Sequence, residues 1–135
     1  MSTFLFKTEP STYSYADLVR DKRTVWDGVS NPVALRHLST LKKGDTVVIY
    51  HTGDEKSAVG LAKATKDPFP DPKLGDPKRL VTEIAAERAL PKPVTLAQVK
   101  ADAILKTTEL ARLPRLSIMP LTEAHFRRLL ELAGA

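Results

Sequence analysis

The apolar run Phe4, Leu5 and Phe6 lies within residues 3–8 (T-F-L-F-K-T), which as an extended chain put Phe4 and Phe6 on one face and Leu5 and Lys7 on the other. That short apolar run predicts a strand. Glu9 and Pro10 end it, because proline cannot continue a central ladder. Ser14 with Asp17 three residues on has capping-box spacing and predicts a short helix through Arg20. Residues 23–27 read as a short extended segment. Asn31 is a good N-cap and Pro32 falls at the first helical position, where its missing N–H costs nothing. Ala34, Leu35, Leu38 and Leu41 then make one apolar face at helical spacing. Lys42 and Lys43 are expected in its last turn, with Gly44 as the left-handed stop. Residues 46–50 (T-V-V-I-Y) are β-branched or aromatic throughout and predict a central strand buried on both faces.

Residues 52–56 form a polar turn. Residues 57–66 alternate, and the small side chains around Gly60 imply that something packs closely there. Residues 67–78 carry four prolines, which predicts a stiffened surface loop and not an interdomain linker. Phe69 within this loop either anchors it to the core or lines a site at its mouth. Residues 80–87 return to alternation, and residues 89–94 are extended around Pro91 and Pro93. Thr95 with Gln98 is a second capping box, opening a short helix. A further helical turn is expected over residues 106–112, then a short strand over 115–119 closed by Pro120. Thr122 caps a last helix with the stripe Phe126, Leu129, Leu130 and Ala133. About six strands and five short helices, partly neighbouring and partly alternating, favour a mixed curved sheet or small barrel with helices outside. A doubly wound parallel sheet fits less well. No internal repeat or domain boundary is evident, so residues 1–135 read as one domain.

Composition narrows the chemistry. The chain holds 42% hydrophobic and 27% charged residues, so it is globular and not disordered. The absence of cysteine excludes disulfides, thiolate metal sites and a cysteine nucleophile. No apolar run approaches the roughly 20 residues of a membrane span, and a cytoplasmic protein is the simplest expectation. A net charge of +5 is compatible with phosphate-bearing partners. Phosphate-cradling glycine loops and the G-x-S-x-G elbow are absent. His37, His51 and His125 have no metal-ligand spacing, so no metal or cofactor is expected. The binding vocabulary is richer, with six of the eight aromatic residues in the first 50 positions. Trp26, the only tryptophan, sits beside Asp27 and Gly28; it either fills the core or walls a pocket. His51 is either a strand-end histidine bonded to backbone or a hydrogen-bonding group at a pocket edge.

Several motifs resemble those of EVE-domain proteins. They are F-L-F-K-T-E-P at 4–10, D-L at 17–18, W-D-G-V at 26–29 with Asn31, K-x-G-D-x-V-x-x-Y-H-T at 42–52, P-K-P-V-x-L at 91–96 and R-L-S-I-x-P at 115–120. The resemblance implies an α/β mixed fold of PUA-like type, a small curved β-barrel with short flanking helices. It implies a nucleic-acid binding module, a reader of a modified or extruded base, with modified cytosine in DNA favoured over RNA. Trp26 would then form one wall of an aromatic cage, and Lys7, Thr8, Asp27, Asn31, Tyr50, His51 and Ser117 would line or support the pocket. Neither a membrane nor an obligate protein partner is implied. Two other readings remain open at this point. One is a small ASCH-like amidohydrolase acting on modified nucleosides through Lys7 or Glu9, and the other is a structural or protein-binding domain with a vestigial pocket. Phe4, Ser30, His37, Arg79 and Met119 depart from the family's common residues.

Overall fold

The opening run forms β1 (Thr3–Thr8) in the computed structural model, which describes residues 1–135. The chain then gives α1 (Tyr15–Asp21), β2 (Arg23–Trp26), α2 (Pro32–Ser39), β3 (Thr46–His51), β4 (Ser57–Ala64), β5 (Phe69–Pro70) and β6 (Leu80–Thr95). After it come α3 (Leu96–Ala101), a 3₁₀ turn (Leu105–Thr107), α4 (Glu109–Arg112), β7 (Ile118–Leu121) and α5 (Glu123–Ala133). The local start signals act as expected. Both capping boxes form, Ser14 with Asp17 and Thr95 with Gln98, and the Asn31 side chain accepts the N–H groups of Val33 and Ala34.

The strands make one mixed sheet in the order β2-β6-β4-β3-β1-β7, with β5 paired beside β6. β1 runs parallel to β3, and the other pairs are antiparallel. The mixed α/β class is as expected, but the sheet does not close into a barrel: β2 and β7 remain its two free edges. β3 is central, and Val47 through His51 are all buried. α2 packs on β7 and β6, and α5 packs on the same two strands.

Several boundaries differ from the sequence reading, and three of the differences have a clear physical reason. α2 ends at Ser39, where Thr40 caps it, because Leu41 leaves the helix to enter the core. Gly44 (φ 94°) therefore serves the turn before β3, whose Asp45 carboxylate accepts the N–H groups of Lys42 and Ser2. The two extended segments after Arg79 are one strand. β6 shifts register against β4 between the Gly60–Ala89 and Ala58–Val94 pairs, so Pro91 and Pro93 fall where no ladder N–H is needed. Pro120 lies inside β7 and does not close it, which an edge strand paired only with β1 allows.

Gly60 shows why a small residue is required at its position. A Cβ there would fall 2.3 Å from the Tyr15 ring, which lies against it. The Tyr15 hydroxyl donates to the Leu61 carbonyl at 2.7 Å. α1 is thereby pinned to the sheet, and the chain emerging from it is aimed along β2 toward Trp26.

Candidate ligand-binding cavity

The end of β1, the turn after it, β2 and the segment following Phe69 surround a cavity of about 720 Å³. Its volume falls within the range of about 300–1,000 Å³ usual for small-ligand sites. Lys7, Thr8, Glu9, Thr12 and Tyr13 come from the first wall, Thr24 through Asp27 from the second, and Phe69, Asp71, Pro72 and Lys73 from the third.

Trp26 is half-buried, and its surroundings explain how it is held. The Phe6 ring packs against it with centroids 5.6 Å apart and planes tilted by 47°. Tyr13 meets it edge-on, 6.2 Å away at 85°. Such tilted and edge-to-face contacts suit the aromatic quadrupole and fix the indole plane. Tyr13 is itself fixed, because its hydroxyl donates to Asp21 at 2.9 Å and its carbonyl accepts the Thr8 hydroxyl at 2.7 Å. Burial holds the Tyr13 phenol above its ordinary pKa, so it stays a neutral donor. Gly28 (φ 77°) turns the chain after Asp27 in a left-handed conformation that glycine adopts freely. Val29 is then buried, and its carbonyl accepts Arg79 Nε at 3.0 Å, which ties the tryptophan segment to the third wall.

Polar groups ring the aromatic centre. The Lys7 ammonium donates to the Pro114 carbonyl at 2.9 Å and sits 5.8 Å from the Tyr50 ring centroid. Burial lowers the Lys7 pKa from its ordinary value. The Glu9 carboxylate accepts from the hydroxyls of Ser11 and Thr52. Asp27 is exposed at the end of β2. Acceptors and the two cations Lys7 and Lys73 around a flat apolar face can read the donor–acceptor edge of a heteroaromatic ring.

Of the residues singled out in the sequence, Lys7, Thr8, Trp26 and Asp27 line this cavity together, and so does Phe69. Asn31, Tyr50, His51 and Ser117 lie outside its wall. Asn31 is occupied with capping α2. Tyr50 and His51 sit on β3 in register with Lys7 and Thr8, one strand behind the wall. His51 is the backbone-bonded strand-end histidine. Its Nε2 accepts the Tyr15 N–H at 3.0 Å, and its Nδ1 faces the Glu55 carboxylate at 2.9 Å. The Ser117 carbonyl accepts the Lys7 N–H at 2.9 Å and holds β1 from its other side. Glu9, named in the sequence only as a catalytic residue of the amidohydrolase reading, lines the cavity too, and Thr12, Tyr13, Thr24, Asp71 and Lys73 line it without having been singled out. Thr24 alone had a legible signal, two residues before Trp26 on the same strand face.

The cavity thus presents a half-exposed tryptophan, braced by two other rings, on an open mixed sheet with short helices. A family model of the EVE domain matches residues 2–132, and the chain belongs to the EVE-domain family. Among its relatives, thymocyte nuclear protein 1 of Homo sapiens is 30% identical over 132 residues, covering 81% of this chain. The match spans 59% of that protein's length. An NMR structure of a Rhodopseudomonas palustris protein superposes with a TM-score of 0.94 at 32% identity, covering 99% of this chain and 94% of that one. The human THYN1 protein, solved in complex with 5-methylcytosine-containing DNA, superposes with a TM-score of 0.91 at 28% identity, covering 100% of this chain and 99% of that one.

Proposed function

We propose that this protein is a DNA-binding module that holds an extruded base, preferably a modified cytosine, against Trp26. The observation that carries this reading is the braced, half-exposed indole facing a cavity with polar groups at its edge. The complex of the human THYN1 protein with 5-methylcytosine-containing DNA supports the ligand class. Stacking a base on an aromatic face contributes about 1–3 kcal/mol, against a few kcal/mol to extrude it from a duplex. The acceptors of Asp27 and Glu9 suit the exocyclic amine of cytosine, which carboxylates bind well. A methyl group buried on the base adds about 0.8 kcal/mol, or roughly fourfold in affinity. Selectivity for the modification is therefore modest unless the methyl group also fills a tight gap.

Trp26 emission reads the test directly, because no other tryptophan contributes. Single-stranded oligonucleotides carrying one 5-methylcytosine should quench it at lower concentration than the unmodified sequence. Trp26→Ala should weaken binding tenfold or more, and Trp26→Phe less. A folded Trp26→Ala variant that binds the same oligonucleotides as the wild type would end this reading.

A further inference from the structure

A base held in the cavity must leave its duplex, and the stack it vacates is costly unless something fills it. The third wall carries a feature that base stacking alone does not use. Residues 71–74 read D-P-K-L and residues 76–79 read D-P-K-R, joined by Gly75. The two tetrapeptides fold alike. The Asp71 side chain accepts the Lys73 N–H at 2.9 Å, and its carbonyl accepts the Leu74 N–H at 3.2 Å. Asp76 repeats the pattern, with the Lys78 N–H at 2.9 Å and the Arg79 N–H at 3.1 Å. Each is a turn whose proline presets φ and whose aspartate caps the backbone. The Asp71 N–H donates to the Arg79 carbonyl at 2.8 Å and closes the base of the pair, while Gly75 (φ 66°) makes the left-handed joint.

This folding sorts the charges. Both aspartates accept backbone N–H groups of their own turns; Asp71 is only 7% exposed, while Asp76 stays at the surface. Lys73 and Lys78 are exposed, and neither ammonium has an ion-pair partner. Residues 71–79 carry two aspartates against Lys73, Lys78 and Arg79, and with Asp71 buried the exposed charge is cationic on balance. Between them stands Leu74, 52% exposed, immediately after the cavity-lining Lys73. A single exposed leucine is ordinary on a protein surface. One at the tip of a doubly capped turn, between two unpaired lysines and at the rim of an aromatic cavity, is placed to enter a base stack.

We propose that this double turn engages duplex DNA beside the extruded nucleotide: Leu74 enters the gap that the base leaves, and Lys73 and Lys78 contact the neighbouring phosphates. The inference rests on the base-holding reading of the cavity and adds the element that opens the duplex. Apolar wedges of this kind unstack base steps in other DNA-binding proteins. The rigid turns limit the ordering cost on binding.

The test compares two probes carrying the same 5-methylcytosine, a fully paired duplex and its single strand, by fluorescence anisotropy. Leu74→Ala should weaken the paired duplex tenfold or more and the single strand less than twofold, since only the duplex needs a wedge. Leu74→Met, which keeps the apolar bulk, should recover most of the loss. Lys73→Gln and Lys78→Gln should each lower the salt slope of duplex binding by about 0.9, equally for modified and unmodified sequences. Equal losses on both probes, or none on the duplex, would overturn the wedge. In that case wild-type quenching of Trp26 by the single strand would persist. If the cavity reading itself is wrong, the single strand fails to quench the wild-type protein at all.

Discussion

Tyr15 and Trp26 are two large aromatic residues set eleven positions apart, and the fold uses them in opposite ways. Tyr15 is 6% exposed, lies against Gly60, and spends both its hydroxyl and its backbone N–H on fixed partners, the Leu61 carbonyl and His51. Trp26 is half-buried, touches Phe6 and Tyr13, and leaves its indole N–H without a partner in the protein. No buried polar side-chain atom in the molecule lacks a partner, so this free donor reaches solvent. Both rings sit beside sheet strands in similar apolar company. What separates a structural aromatic from a binding one is whether its hydrogen bonds and its faces are already used.

The contrast can be broken first at Tyr15. Tyr15→Ala should destabilise the protein by about 3–5 kcal/mol, read as a shifted denaturation midpoint, with little effect on ligand affinity in the folded fraction. Ile49→Ala, at the buried centre of β3, should cost about 2–5 kcal/mol by the same cavity argument. Gly60→Ala comes next, at about 1–3 kcal/mol of overpacking, because the new methyl group meets the Tyr15 ring. In a Tyr15→Ala background the same change should cost almost nothing, and a double-mutant cycle would show the coupling. Trp26→Ala should reverse the pattern, with about 1–3 kcal/mol lost from base binding and a smaller stability change than Tyr15→Ala. Equal stability losses at the two positions would erase the distinction drawn here.

The weakest lever leaves both rings alone. Burial holds His125 below its ordinary pKa, and its Nδ1 accepts the Thr122 N–H at 3.2 Å as part of the α5 cap. The neutral imidazole is the form the cap needs. Its contribution is present above the unfolded value of about 6.5 and is lost as pH falls through that value toward the lower folded pKa. Melting temperature should therefore drop modestly on acidification. His125→Gln, which keeps a capping-box acceptor, should flatten that step.

What was legible in the sequence was local. The Ser14, Asn31, Thr95 and Thr122 caps need only a side chain and the next turn, so residue type and spacing suffice. β1 and β3 were readable because their apolar runs are unbroken. The register shift that merges residues 80–95 into one strand is a property of β4 as much as of β6, and the prolines at 91 and 93 disguised it. Likewise, Leu41 leaves α2 because of the core it enters, which its own helix does not encode. The cavity followed the same division. Trp26, Lys7 and Thr8 carried recognisable motifs, whereas Tyr13 and Asp71 join the wall only through turns whose direction depends on the sheet. Asn31 and His51 carried motifs too, yet the fold spends them on a helix cap and a strand end.

The parallel pairing of β1 with β3 has a consequence in time. The entire stretch from Glu9 to Asp45, β2 included, must be laid down before β3 can return beside β1 and Thr8 can lie against His51. Trp26 then depends on a still longer closure, because its strand partner is Thr82. Contacts between distant parts of a chain form slowly. Indole emission should accordingly approach its native value after β1 and β3 have gained protection from hydrogen exchange, which places completion of the cavity after that pairing during refolding.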